Sequence, residues 1–223
     1  MYRGLAVVLV GLSALSVGCA VGSERPGRYN VLLIVSDDQR HDALGCAGHP
    51  IVRTPHIDRL AEGGVRYTHA FVSLPICAPS RAAFLTGRFE TSNGVRFFSQ
   101  PMHSDIVAWP RAMARAGYQT AFTGKWHNVR EADAYGFEWT GNIYLRGMDF
   151  YLNPPLAQAP GGPEAIVQGE VNALATDAAL RFLGERDRGR PFFLYVAYAA
   201  PHDPARWASA MRSYWRFPAR CWT

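Results

Sequence analysis

Apolar residues along this chain fall into a few unbroken runs, each closed by small or charged residues. Asn30-Val-Leu-Leu-Ile-Val35 is one, with polar residues 21–29 before it and Ser36-Asp37-Asp38-Gln39 after it. A continuous run of strand length reads as a parallel strand buried on both faces. Residues 118–123 and 191–198 have the same character, and residues 65–72 alternate in part, so strands are expected near 30–36, 65–72, 118–123 and 191–198. Between them the spacing becomes helical. Thr54-Pro55-His56 opens a capped helix stopped by Gly63-Gly64, and residues 110–116 form a short helix ended by Gly117. Val171, Leu174, Ala178 and Phe182 lie along one face of a helix expected over 164–186. Strands alternating with helices predict an α/β fold, with a mostly parallel central sheet sandwiched by helices. Residues 131–165 are expected to be loop, with Tyr144, Phe150 and Tyr151 packing rather than contacting a ligand.

The two ends differ from this body. Residues 1–20 combine Arg3, an apolar run from Leu5 to Val17 and Gly18-Cys19, the pattern of an export signal too short to span a bilayer comfortably. Ser16-Val-Gly-Cys19 resembles a bacterial lipobox. Export is therefore expected, either to the periplasm or outer membrane as a lipoprotein anchored through Cys19 or as a secreted protein. Residues 21–29 read as a linker. Residues 205–223 hold Trp207, Trp215 and Trp222, four arginines and no acidic residue. Without those four arginines the net charge of +5 falls to +1, so the basic character belongs largely to the tail. A basic aromatic tail reads as a membrane-surface helix, a nucleic-acid patch or out-of-frame translation of a GC-rich gene. The abrupt change of composition favours the last, and no nucleic-acid partner is expected. Four cysteines make no disulfide framework: Cys19 belongs to the leader, Cys77 to the chemistry below, and Cys46 and Cys221 have nothing to pair them.

Candidate chemistry centres on Cys77-Ala-Pro79-Ser-Arg81-Ala-Ala-Phe-Leu85-Thr-Gly87-Arg88. Pro79 suits a first helical turn, where its missing N–H costs nothing, and Gly87 suits a helix end. Cys77 then stands where free amides favour an anion, and Arg81 adds a planar fork for an oxyanion. Asp37 and Asp38 sit at the carboxyl end of the first strand, where open α/β sheets place ligands. Taken alone, the pair reads as a hydrated turn or as oxygen ligands for Ca²⁺ or Mg²⁺. Lys125 and His127 alternate about Trp126 at the end of the 118–123 strand, so both can face one pocket. His202 follows the last strand in Ala200-Pro-His-Asp-Pro204. His41, His49 and His69 show no ligand spacing.

The segment at Cys77 resembles the main signature of the sulfatase family, C-x-P-S-R-x-x-x-L-T-G-R, at every specified position. Gly117-Tyr-Gln-Thr-Ala-Phe-Thr-Gly-Lys-Trp-His127 is similar to its second signature, G-Y-x-T-x-x-x-G-K-x-H. The Thr54 helix and Pro201-His202-Asp-Pro204 resemble further family segments, so the resemblance covers residues 30–204. It implies the alkaline-phosphatase-like α/β fold and hydrolysis of aryl, choline or carbohydrate sulfate esters. It also implies oxidation of Cys77 to formylglycine by a maturation enzyme. The formylglycine hydrate is then the nucleophile, and Asp37, Asp38 and Cys77 lie around a Ca²⁺, with Mg²⁺ as the alternative. Arg81 and Lys125 would stabilise charge, His202 would assist the leaving alcohol, and His127 would take a proton from the remaining hydroxyl.

The same resemblance implies parts not visible in these 223 residues: an Asp-Asn pair completing the metal site, a further sulfate-binding lysine and a smaller C-terminal domain. The chain is thus expected to lack the C-terminal part of the fold and to have little activity as given. A phosphonate or phosphate-ester hydrolase of the same superfamily, and a catalytically inactive fragment, are the alternative readings.

Overall fold

The structure, a computed structural model, describes residues 28–128, 132–147 and 151–202. The export segment, Cys19, Phe150, Cys221 and the 205–223 tail lie outside the described residues. No described helix is long and apolar enough to cross a membrane.

Six strands form one mixed sheet: β1 Val31–Val35, β2 Gln119–Lys125, β3 Trp139–Tyr144, β4 Pro155–Ala157, β5 Glu164–Ile166 and β6 Phe192–Ala197, in the order β1-β6-β2-β3-β4-β5. The first four strands in that order are parallel, and β4 and β5 are added antiparallel. The helices are α1 Pro55–Gly63, α2 Cys77–Thr86, α3 Glu90–Asn93, α4 Trp109–Arg115 and α5 Val171–Glu185. Alternation in β2 and β6 sends side chains to both faces. Phe122, Phe193 and Tyr195 meet Ala82 and Leu85 of α2 on one face. Ala121, Leu194 and Val196 meet Ala179 and Phe182 of α5 on the other. That is the expected α/β sandwich with a mostly parallel sheet.

Four expectations are corrected. β1 is an edge strand among the described residues, not one buried on both faces. Val31, Leu33 and Val35 pack into the core, whereas Leu32 and Ile34 are 51% and 52% exposed. The cause is coverage: α5 packs on β2, β3 and β6. Residues 65–72 form no strand, because they pair with none of the six; Tyr67 and Phe71 are exposed. The helix expected over 164–186 is confined to α5, since residues 164–166 pair with β4 and Gly169, at φ +131, breaks the run. The Glu170 carboxylate then caps α5 by accepting from Ala173 N at 2.8 Å. Finally, residues 131–165 are not all loop. They contain β3, disguised in sequence by Gly141 and by Asn142, whose φ of +48 falls beside a register shift between β2 and β3.

Candidate active site

The site is built where β1, β2 and β6 end and α2 begins. Asp37, just past β1, is buried, and its backbone N–H donates to Ala200 O at 3.1 Å. Lys125 closes β2 with its side chain wholly buried, and its ammonium donates to Asp37 Oδ2. The two groups reach each other across the end of β6. Gly124 makes that crossing close: at φ +96 it lies so near Ala197 of β6 that a methyl there would strike the Ala197 carbonyl. Arg81, one turn into α2, places Nη2 3.5 Å from Asp37 Oδ2 and donates from Nη1 to Lys125 O at 2.6 Å. One buried carboxylate therefore serves two buried cations, leaving net positive charge at the helix mouth.

Cys77 is the first residue of α2, after Ile76 in extended conformation, and its thiol is free and half-buried. Pro79 lies in the first turn, and Gly87 ends the helix at φ +62, donating to Ala83 O. Cys77 lies within electrostatic reach of Lys125. Burial pushes the Lys125 ammonium down, and the Asp37 carboxylate beside it counteracts that. His127 follows at φ +46, with Nδ1 buried and without a hydrogen-bond partner among the described residues. Burial, then the positive charges of Lys125 and Arg81, lower its pKa to about 4, so the ring is neutral at pH 7. His202 stands within electrostatic reach of His127. Its loop is held by Tyr151, whose hydroxyl donates to His202 O at 2.6 Å and Ala199 O at 3.1 Å.

Asp37, Arg81 and Lys125 are thus in contact, with Cys77, His127 and His202 around them. Asp38 is not drawn in: it is exposed, at φ +57. The expected cation site can be tested on these donors. Asp37 is engaged by two cations and Asp38 faces solvent. Among the described residues no three His, Cys, Asp or Glu side chains are grouped to hold one ion. Ca²⁺ takes about 6–8 oxygens, so Asp37 and Asp38 are at most part of such a shell.

Two contributors had no motif to announce them. Tyr195 of β6 is buried within electrostatic reach of Arg81 and Asp37, a position hidden inside an apolar run. Glu90, buried in α3, accepts from Ser73 Oγ at 2.7 Å and fastens the approach to Cys77. Tyr144 is buried, as expected of a packing residue.

The sulfatase family profile matches residues 29–218. The chain belongs to the sulfatase family. It is 30% identical to N-acetylglucosamine-6-O-sulfatase of Bacteroides thetaiotaomicron, over 95% of this chain and 38% of that protein. It is 31% identical to human iduronate 2-sulfatase, over 92% of this chain and 42% of that one. Among solved structures, a complex with its substrate D-glucosamine-2-N,6-O-disulfate superposes with a TM-score of 0.72 at 31% identity, covering 78% of this chain and 35% of that one. A complex with a neocarrahexaose superposes at 0.71 and 27% identity, covering 79% and 46%. The chain therefore spans about a third to just under half the length of these relatives.

Proposed function

We propose that this chain carries the nucleophile and anion clamp of an exported sulfatase acting on aryl or carbohydrate sulfate esters, with Cys77 converted to formylglycine. The observation that supports it is the meeting of Cys77, Arg81, Lys125 and His127 at the ends of β1, β2 and β6. Two carbohydrate sulfatases among the relatives favour a saccharide ester as substrate.

Cys77 suits the modification: half-buried, free, and followed by Pro79 and Arg81 in an unstrained helix start. When formed, an aldehyde hydrate supplies an oxygen nucleophile where the thiol stood. Arg81 and Lys125 hold sulfate oxygens, and their fixed geometry leaves little to reorganise as charge develops. His127, kept neutral by burial and by its cationic neighbours, accepts a proton within the pocket. His202 serves the leaving alcohol oxygen. Asp37 and Asp38 are the residues of this chain that would contribute to a divalent cation's shell, and such an ion would add positive charge beside the nucleophile.

The test is coexpression with a formylglycine-generating enzyme. Mass spectrometry of the tryptic peptide ending at Arg81 is expected to show an aldehyde at Cys77. An unmodified thiol, with a known sulfatase converted in parallel, overturns the assignment of the nucleophile. The converted 223-residue chain is expected to turn over aryl sulfates only slowly, because units of this kind lose activity steeply when members are missing. An aryl phosphonate hydrolysed faster than the matching sulfate would overturn the ester class.

A further inference from the structure

The loop between α3 and α4 is anchored at both ends and holds two aromatic rings outward. Val95 and Met102 are both buried, at 5% exposure. Asn93, fully buried, accepts from Val95 N at 2.8 Å and donates to Arg88 O at 3.1 Å. Gln100 Oε1 accepts from Arg96 N at 2.8 Å and from Phe97 N at 3.1 Å, closing the tip with Ser99 at φ +61. At that tip Phe97 and Phe98 are 57% and 42% exposed. Their rings meet edge to face, with centroids 5.1 Å apart. Phe98 also stacks on His127, at 5.6 Å and 21°. Gly147 stands beside the His127 ring, where an added methyl would lie 3.6 Å from Cε1, in ordinary contact. An exposed phenylalanine leaves apolar surface in water that a ligand can cover. Here two of them continue directly from a residue of the site.

We propose that Phe97 and Phe98 form a stacking ledge for the ring of the alcohol part of the sulfate ester, so that cyclic esters are preferred to open-chain ones. This rests on the reading of the pocket as a sulfate-ester site. With the sulfate on Arg81 and Lys125, the ester oxygen leads one bond on to the alcohol carbon. A pyranose or aryl ring there lies within a few ångströms of His127 and can lay its apolar face on the ledge.

Calorimetry on the full 223-residue chain with unconverted Cys77 separates binding from turnover. The probes are inorganic sulfate, methyl sulfate, choline sulfate, p-nitrophenyl sulfate and glucosamine 6-sulfate. Inorganic and methyl sulfate are expected to bind alike, and the two ring esters roughly fivefold to tenfold tighter. Phe97→Ala and Phe98→Ala should each remove most of that difference without weakening inorganic sulfate. Phe98→Tyr should retain it, and so should Leu180→Ala, an exposed apolar residue of α5 on the opposite sheet face. If inorganic sulfate binds but the ring esters bind no tighter, or Phe98→Ala keeps the difference, the ledge is overturned and the site reading stands. If choline sulfate alone gains, the rings serve a cation, and the preference for cyclic esters is overturned. If inorganic sulfate does not bind, the site reading fails and the ledge with it.

Discussion

Strands β1 and β6 are neighbours with nearly the same kind of sequence, Val-Leu-Leu-Ile-Val against Phe-Phe-Leu-Tyr-Val-Ala, yet they live in different surroundings. Every residue of β6 is buried, with α2 and α4 on one face, α5 on the other and a strand on each side. β1 half-buries alternate residues, buries none fully, and has a partner on one side among the described residues. An apolar run therefore reports what a strand can tolerate on each face, and what covers it is decided elsewhere in the chain. The site inherits the asymmetry: Asp37 extends from the half-covered strand, Lys125 from the covered interior, and their ion pair spans the end of β6.

The comparison is broken most directly by truncating the interior. Phe193, fully buried in β6 between Trp109 and Phe137, is expected to cost about 3–5 kcal/mol as Phe193→Ala, from lost transfer energy plus the cavity left behind. Chemical denaturation measures it. A loss under about 1 kcal/mol, the range of volume-conserving swaps, would mean that β6 is no better covered than β1.

Next comes the ion pair joining the two regions. Lys125→Met leaves Asp37 buried with Arg81, at 3.5 Å, as its one charged partner among the described residues, and is expected to cost roughly 3 kcal/mol, the low end for breaking a buried pair. Asp37→Leu combined with Lys125→Met should cost less than the sum of the two single variants, because neither member of the pair is then buried without the other, although Arg81 loses its carboxylate. A double-mutant cycle decides: strict additivity would mean that the two groups do not act as a unit.

A smaller, pH-dependent effect comes from His127. Its folded pKa of about 4 lies below the usual 6.5, so the unfolded chain binds the proton first. Its contribution is intact above pH 6.5 and is lost as pH falls toward 4. The slope is at most about 1 kcal/mol per pH unit, trimmed by solvent because the ring is only partly buried. Stability measured between those pH values should fall less steeply in His127→Gln than in the parent chain. Equal slopes would place the parent's titration on other groups.

Much of this could be read from the residues, and the misses share a cause. The helix from Cys77 to Thr86, its proline and its closing glycine follow from local chemistry, and the structure agrees. So do β2, β6 and α4, whose signals are equally local. What failed depended on neighbours: residues 65–72 have strand-like spacing but pair with no described strand, and no described helix packs over the outer face of β1. β3 was hidden because Gly141 and Asn142 look like loop. There the missing side chain admits a close approach of Arg181, and Asn142 turns its amide to Leu174 O at 2.8 Å. Cys77, Arg81, Lys125 and His127 came from two dense motifs, and Asp37 and His202 from the residues that close two apolar runs. Tyr195 could not, since a tyrosine standing near Arg81 has the same sequence appearance as one filling a core.

The smallest effect is the most telling for β1. Ile34 is half-exposed on the open side of an edge strand, so Ile34→Lys should change stability by no more than about 0.5 kcal/mol, as for an ordinary surface position. The same charge at Leu194 of β6, fully buried, would be ruinous. Lysine on an edge strand also discourages pairing with another chain. If the edge of β1 that no described strand pairs, with its exposed Leu32 and Ile34, drives self-association, light scattering should show less of it in Ile34→Lys at unchanged stability. A cost of 2 kcal/mol or more would mean that something covers this face in solution, and the contrast between the two strands would then be one of coverage not yet seen rather than of exposure.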